Sequence, residues 1–412
     1  MNATSSPSYL LDGHSPLATV IDRAIGAARS LGALQLTPEN VLRTAESLTG
    51  LHDRNQPEIM APLQAICDDF AEVPPTDLGA AIVHATLVQG MVSRRRLQRV
   101  FDSSPTRTVY PPIVLVGWYR TGTTYLQQLL AALPHYGFVP MYRLAEPVPS
   151  LQGGGYDPAP LRWVSEWLSR ARFELGTASM SMLAPELNVL HKVTATGAEE
   201  CWLLTIAHLI SEGVAFHWKV PRYDRWLLDV DRQPVYRTWA RAAAYLEREL
   251  GHGLVLKDPA HMRALPELVR AMPNAKLVWT HRDPAKSIAS FCGLSASQRR
   301  LVYGGYDGAE LGENALTRAE RYFRSGLEAR ENLPSSQIID VKQDEIRRAP
   351  VACVERICDH FGLPFDAVRI EARVRELAES EGGAHSSLDT WGLTPTQVHS
   401  RLSFYDASWW RR

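Results

Sequence analysis

Two stretches of this 412-residue chain carry residue types at spacings suited to binding phosphate. In the first, the apolar run Ile113-Val114-Leu115-Val116 stops at Gly117, and Trp118-Tyr119-Arg120-Thr121-Gly122-Thr123-Thr124 leads into the helical pattern Tyr125-Leu126-Gln127-Gln128-Leu129-Leu130. A strand, a glycine-bearing loop and a helix in that order cradle an anion, because the loop N–H groups and the positive end of the helix dipole converge. A loop built to hydrolyse nucleoside triphosphates reads G-x-x-x-x-G-K-[ST]. Here Gly117 and Gly122 keep that separation, but Thr123 stands at the lysine position and the positive charge sits earlier, at Arg120. Such a loop can take a 5′-phosphate, yet it lacks the lysine that reaches a β/γ-phosphate pair. The second stretch, Leu277-Val278-Trp279-Thr280-His281-Arg282-Asp283-Pro284, reads as a short strand ending in a basic residue, with Ser290 following eight positions after Arg282. Arg offers a planar fork to a phosphate, and a serine about two helical turns further on can reach another oxygen.

The elements that must position these residues follow from the pattern. Residues 1 to about 12 read as disordered, and from Leu17 to about Arg99 the periodicity is helical. Thr37-Pro38-Glu39-Asn40 carries a capping residue and a first-turn proline. Thr76-Asp77-Leu78 opens a second helix with Ile82, Leu87 and Met91, ending in Arg94-Arg95-Arg96-Leu97-Gln98-Arg99. That basic run reads as a solvated helix end, well placed against the dipole. Residues 1–105 thus form a helical N-terminal region and 106–412 an α/β domain. Within the latter, Leu254-Val255-Leu256 precedes Lys257-Asp258-Pro259, and Ile338-Ile339-Asp340-Val341 precedes a helix from Pro350 to Phe361. Strands alternating with helices imply a three-layer fold with a central, mainly parallel sheet. Ligands in such folds lie at the carboxyl ends of the strands, where Gly117–Thr124, Lys257 and Arg282 all fall.

The two phosphate stretches, in this order, resemble the cofactor motifs of sulfotransferases that use 3′-phosphoadenosine 5′-phosphosulfate (PAPS). The likeness extends to a bacterial-type branch of that family through Gly50-Leu51-His52-Asp53, Pro147-Val148-Pro149, Glu199-Glu200-Cys201-Trp202, Leu256-Lys257-Asp258-Pro259-Ala260-His261 and His360-Phe361-Gly362-Leu363-Pro364. The resemblance implies a P-loop-like sulfotransferase fold and transfer of a sulfonate from PAPS to a hydroxyl of a small acceptor. By the same resemblance Arg120, Thr121, Gly122, Thr123 and Thr124 bind the 5′-phosphosulfate, Arg282 and Ser290 the 3′-phosphate, and Lys257 lies near the sulfonate. Glu146, directly before Pro147, is the first choice for the general base and His261 the second. Two departures stand out: Tyr142-Arg143 where Trp-Glu is usual, and Gln343 where a tyrosine usually follows the Ile338–Val341 strand. His191, Glu199 and Glu200 form a further polar group, the glutamates reading as an amphipathic helix.

Sulfonate transfer needs the acceptor oxygen, sulfur and leaving oxygen held in line, the leaving-group charge matched and a proton removed. A sulfonate carries less charge than a phosphoryl group, so no metal is expected. Trp163, Trp167, Phe216, Trp218, Tyr223 and Trp226 suggest an aromatic pocket for an apolar acceptor, or core packing. A formal net charge of −1 argues against nucleic-acid binding. The apolar stretches are too short to span a bilayer, and the N-terminus lacks the features of a signal peptide, so a cytoplasmic protein is expected. The five cysteines are scattered and without C-x-x-C, which reads as reduced thiols in or near a core. Two rivals stay open, a P-loop kinase or NTPase and a catalytically silent nucleotide-binding protein of the same fold. The oligomeric state is left open.

Overall fold

A computed structural model describes residues 34–151, 157–378, 386–405 and 409. The expected disorder of the first residues and the helix from Leu17 lie outside these. The principal helices are α1 (Pro38–Thr49), α2 (Pro57–Glu72), α3 (Asp77–Phe101), α4 (Thr123–Leu130), α5 (Arg162–Leu183), α6 (Gln233–Leu250), α7 (Pro284–Tyr303), α8 (Gly308–Glu331) and α9 (Pro350–Phe361). The strands are β1 (Ile113–Val116), β2 (Tyr136–Phe138), β3 (Gly253–Lys257), β4 (Lys276–His281) and β5 (Ile338–Lys342). All pairings are parallel, in the order β2-β3-β1-β4-β5. The expected α/β architecture is therefore present, with β2 an added edge strand too short to stand out in the sequence.

Register explains why the predicted site can exist. Leu115 pairs with Lys257 and Val116 with Trp279, so β1, β3 and β4 end side by side. All four β1 residues are buried, as expected of a strand covered on both faces. Strand alternation sends Val114 and Val116 into one core, with Trp239 of α6, Ile288 of α7 and Phe323 of α8. Ile113 and Leu115 enter the other, with Leu126, Leu129 and Leu130 of α4 and Val354 and Ile357 of α9. Each of those α4 leucines is fully buried, contributing about 1.5–3 kcal/mol by the usual transfer scale. These two cores with the sheet between them make the three layers.

The N-terminal helices are not an independent appendage at their C-terminal end. Leu97, Val100 and Phe101 of α3 belong to the sheet's own core, while α1, α2 and the first part of α3 close a separate core with Ile206, Trp218 and Tyr223. The basic run on α3 departs from expectation, because Arg94, Arg95 and Arg96 are all buried rather than solvated. Arg94 meets Asp53 at 2.7 Å and Glu58 at 3.1 Å, Arg95 donates to the Leu42 carbonyl at 3.2 Å, and Arg96 pairs with Glu146. Buried guanidinium groups persist when carboxylates and carbonyls from other segments receive them. Those partners lie 36 to 53 residues away in sequence, beyond the reach of helical periodicity. All five cysteines are free and buried. Among the described residues, no helix is long and apolar enough to cross a membrane.

Candidate active site

The loop after β1 is held open by backbone geometry that its glycines permit. Gly117 has φ 138°, and a Cβ there would lie 2.5 Å from Thr280 Oγ1 and 2.6 Å from the Thr280 carbonyl oxygen. Only a residue without a side chain lets the loop pass so close to β4. Gly122 has φ 88° and caps α4 without a side-chain hydrogen bond, so the first N–H groups of that helix face outward for a ligand. Between them Arg120 adopts φ 64°, a conformation disfavoured for any residue with a Cβ and often held at functional sites. The Thr121 hydroxyl fixes the loop, donating to the Trp118 carbonyl at 2.7 Å with Thr280 Oγ1 2.6 Å away.

The predicted phosphate-binding residues come together at this point. Arg120 Nε donates to Ser290 Oγ at 3.1 Å, and Arg282 Nη1 donates to the Arg120 carbonyl at 2.7 Å. Burial pushes the Arg120 guanidinium below its ordinary value; Arg282 is lowered by burial and then by the charges of Arg347 and Arg120. Such a cluster of like charges favours an anion between its members. Arg347 carried no sequence signal, standing among ordinary surface residues after β5. Gln343 lies against Gly122, its Cγ 3.2 Å from where a Cβ would be. Lys257, at the end of β3 and 1% exposed, donates to Thr124 Oγ1 at 2.8 Å.

Neither candidate base joins this cluster. Glu146 closes the short helix Met141–Ala145, and its buried carboxylate accepts from Arg96, from Ser169 at 2.5 Å and from Arg172 at 2.7 Å. Its partners come from α3 and α5, and it acts there as a tie between helices. His261 is 0% exposed, with Nε2 3.2 Å from Cys201 Sγ and Nδ1 2.7 Å from the Tyr236 hydroxyl. Burial pushes its imidazole down to about 3, so it is neutral and both ring nitrogens are engaged.

A different polar group stands beside Lys257. Met141 and Tyr142 donate their N–H groups to the Gly197 and Ala195 carbonyls, each at 3.0 Å, laying residues 195–198 along 140–142. Gln127 Nε2 of α4 reaches the Glu199 carbonyl at 3.5 Å, and the Cys201 N–H donates to the Lys257 carbonyl at 2.8 Å. Glu199 and Glu200 therefore sit in irregular backbone, not on the amphipathic helix expected of them. Glu200 Oε1 lies 3.4 Å from Lys257 Nζ, while Glu199 Oε1 lies 2.5 Å from His191 Nε2 and Glu199 Oε2 accepts the Glu200 N–H at 2.9 Å. Burial alone would raise the Glu199 carboxyl, but His191 and then Lys257 outweigh it and bring it down to about 2. Asp258, by contrast, is pushed well up by burial and then by the Glu200 charge.

The set Cys201, Asp258 and His261 offers ligand atoms within 4.8 Å of one another, a donor combination a transition metal accepts. His261, however, already spends both ring nitrogens on Cys201 and Tyr236, and burial raises the Cys201 thiol well above its ordinary value. The Asp258 carboxyl is bonded to neither of the other two, its Oδ1 taking the Ala260 N–H at 2.9 Å.

The aromatic residues separate into two sets. Phe216, Trp218 and Tyr223 are core residues and Trp226 packs against that core, whereas Trp163 and Trp167 on α5 are 70% and 61% exposed. Leu175 and Met182 continue the exposed apolar side of α5. Between α5 and the segment after His191 lies an open cavity of about 530 Å³, lined by Glu174, Thr177, Ser181, Lys192 and Thr194 among others.

Comparison with known proteins places this geometry. A model of the sulfotransferase family matches residues 111–367. The chain is 23% identical over 278 residues to omega-hydroxy-beta-dihydromenaquinone-9 sulfotransferase Stf3 of Mycobacterium bovis and of Mycobacterium tuberculosis, covering 64% of this chain and 66%, just under two thirds, of that relative. Its structure is similar to that of sulfotransferase STF1 from Mycobacterium tuberculosis H37Rv, with a TM-score of 0.77, 27% identity, and coverage of 90% of this chain and 100% of the other. It also shares the fold of STF9 from Mycobacterium avium, with a TM-score of 0.77, 22% identity, and coverage of 90% and 96%. The strand-end anion loop and the matching family model lead to one assignment: this chain belongs to the sulfotransferase family.

Proposed function

We propose that the protein transfers a sulfonate group from PAPS to a hydroxyl of a small, apolar acceptor. The observation that carries this reading is the convergence of Arg120, Arg282 and Ser290 on one point at the strand ends, where the open N-terminus of α4 also lies. Two anion-binding elements joined by hydrogen bonds suit a nucleotide with phosphates on both its 3′ and 5′ positions. In this reading Thr121–Thr124 and Arg120 receive the 5′-phosphosulfate and Arg282 with Ser290 the 3′-phosphate. Lys257, desolvated and aimed at the α4 N-terminus through Thr124, supplies positive charge where the leaving oxygen gains negative charge. Thr123 at the lysine position disfavours a triphosphate.

Support for an apolar acceptor comes from the exposed Trp163, Trp167, Leu175 and Met182 on α5, the helix that walls the cavity after His191. The Stf3 relatives, named for an omega-hydroxy-dihydromenaquinone, set a precedent for a hydroxyl on a largely hydrocarbon molecule. Calorimetry with adenosine 3′,5′-bisphosphate and with ATP tests the donor. Tight binding of the bisphosphate and weak binding of ATP is expected, and the reverse order would refute the reading. A panel of alkyl alcohols, sterols and phenols with labelled PAPS then tests the acceptor class.

A further inference from the structure

We propose that His191 takes the acceptor's proton, with Glu199 as the positioning residue that holds its ring; this rests on the sulfonate-transfer reading. A hydrogen bond joins them, 2.5 Å from His191 Nε2 to Glu199 Oε1. An ionised carboxylate only accepts, so the ring hydrogen sits on Nε2 and the lone pair on Nδ1. Among the described residues, nothing is hydrogen-bonded to His191 Nδ1, and the side chain is 23% exposed, so an acceptor can reach it. The second oxygen of the carboxylate takes the Glu200 N–H, and the Glu199 backbone carbonyl takes Gln127 of the anion-loop helix.

The pair is tied on both sides to residues of the proposed 5′-phosphosulfate site. On one side Arg120 Nη2 donates at 2.9 Å to the carbonyl of Leu190, the residue joined to His191. On the other, Glu200 follows Glu199 and contacts Lys257, which bonds Thr124. The cavity along α5 opens at Lys192–Thr196, immediately after His191. Three alternatives are already engaged. Glu146 holds two arginines, His261 is sealed between Cys201 and Tyr236, and Glu200 faces the Lys257 ammonium. An imidazole oriented by a carboxylate is the arrangement that general-base catalysis uses to fix the tautomer.

The acceptor hydroxyl proton passes to His191 Nδ1 as its oxygen forms a bond to sulfur. The bond from sulfur to the 5′-phosphate oxygen breaks, and its electron pair stays on the phosphate, leaving adenosine 3′,5′-bisphosphate. His191, now an imidazolium paired with Glu199, returns its proton to solvent.

The test uses the full chain with PAPS and two acceptors, an alkyl alcohol and p-nitrophenol, whose hydroxyl ionises without help. His191→Ala and His191→Gln should each lower turnover of the alcohol by about 10²–10⁴-fold, the range for a lost general base, at unchanged bisphosphate affinity. The loss with p-nitrophenol should be at least about tenfold smaller, and added imidazole should restore part of the alcohol turnover in His191→Ala. Glu199→Gln should lower turnover less than His191→Ala while leaving bisphosphate affinity intact. Wild-type turnover in both His191 variants, or equal losses on both acceptors without imidazole rescue, would overturn the proposal and leave the sulfonate-transfer reading standing. No transfer by the unaltered protein to any acceptor would overturn both.

Discussion

Replacing Lys257 by methionine should separate function from stability in this fold. The ammonium is desolvated, and its partners are the Thr124 hydroxyl at 2.8 Å and Glu200 at 3.4 Å, a carboxylate still 20% exposed. At an effective dielectric constant of about 20, the attraction between unit charges at that separation is about 5 kcal/mol. Removing a lysine from water costs several kcal/mol in opposition, so the pair adds little net stability. Methionine matches the aliphatic stem in volume, and Glu200 remains accessible enough to be hydrated once its partner is gone. Chemical denaturation should therefore show a change within about 2 kcal/mol. Turnover should behave differently, because a preorganised donor aimed at a developing negative charge is worth about 10²–10³-fold. The assay is single-turnover transfer of labelled sulfonate at saturating PAPS, with bisphosphate calorimetry to show that the site still forms. A large stability loss with undiminished turnover would refute the reasoning and make Lys257 a structural residue.

Two further outcomes follow from other buried charges. Glu146→Gln strands Arg96 in the interior and should cost about 3–5 kcal/mol in denaturation while folded protein keeps its bisphosphate affinity, the reverse of the Lys257 result. Glu199 has its pKa lowered from 4.5 to about 2, so the unfolded chain binds the proton more readily between those values. Its stabilisation, on the order of 3 kcal/mol, is fully present above about pH 4.5 and is lost as pH falls through about 2. The difference in denaturation midpoint between the wild type and Glu199→Gln should shrink across that window, and a constant difference would contradict the assignment.

What the sequence disclosed and what it withheld divide along the range of the forces involved. β1, β3, β4 and β5 announced themselves because a buried parallel strand is a short apolar run whose meaning is local, and each was followed by a loop with a recognisable end. Arg120, Lys257 and Arg282 could be placed together because parallel strands bring their carboxyl ends to one edge. Side-chain partnerships across the fold were not legible. Glu146 looked available until Arg96, from 50 residues earlier, and Arg172, from 26 later, closed on it. The run Arg94-Arg95-Arg96 looked solvated because helical periodicity records which face a residue occupies, not what receives it. His191 and Glu199 are eight residues apart in irregular backbone, where neither helix nor strand periodicity applies.

Helix α5 has its amphipathic sense reversed, with Ser165 and Ser169 turned inward and tryptophans turned out. Its grip on the body is largely ionic and hydrogen-bonded: Arg172 and Ser169 to Glu146, and Glu166 to Arg143 and Tyr142. Apolar packing comes chiefly at its end, from Met180 and Leu183. Attachment of that kind weakens with ionic strength, through contacts such as Arg172 and Glu166 that reach solvent, while the sheet's apolar cores do not respond in that way. The wall of the cavity along α5 is thus held on a different thermodynamic footing from the sheet that carries the anion loop, and dissolved salt acts on one without loosening the other.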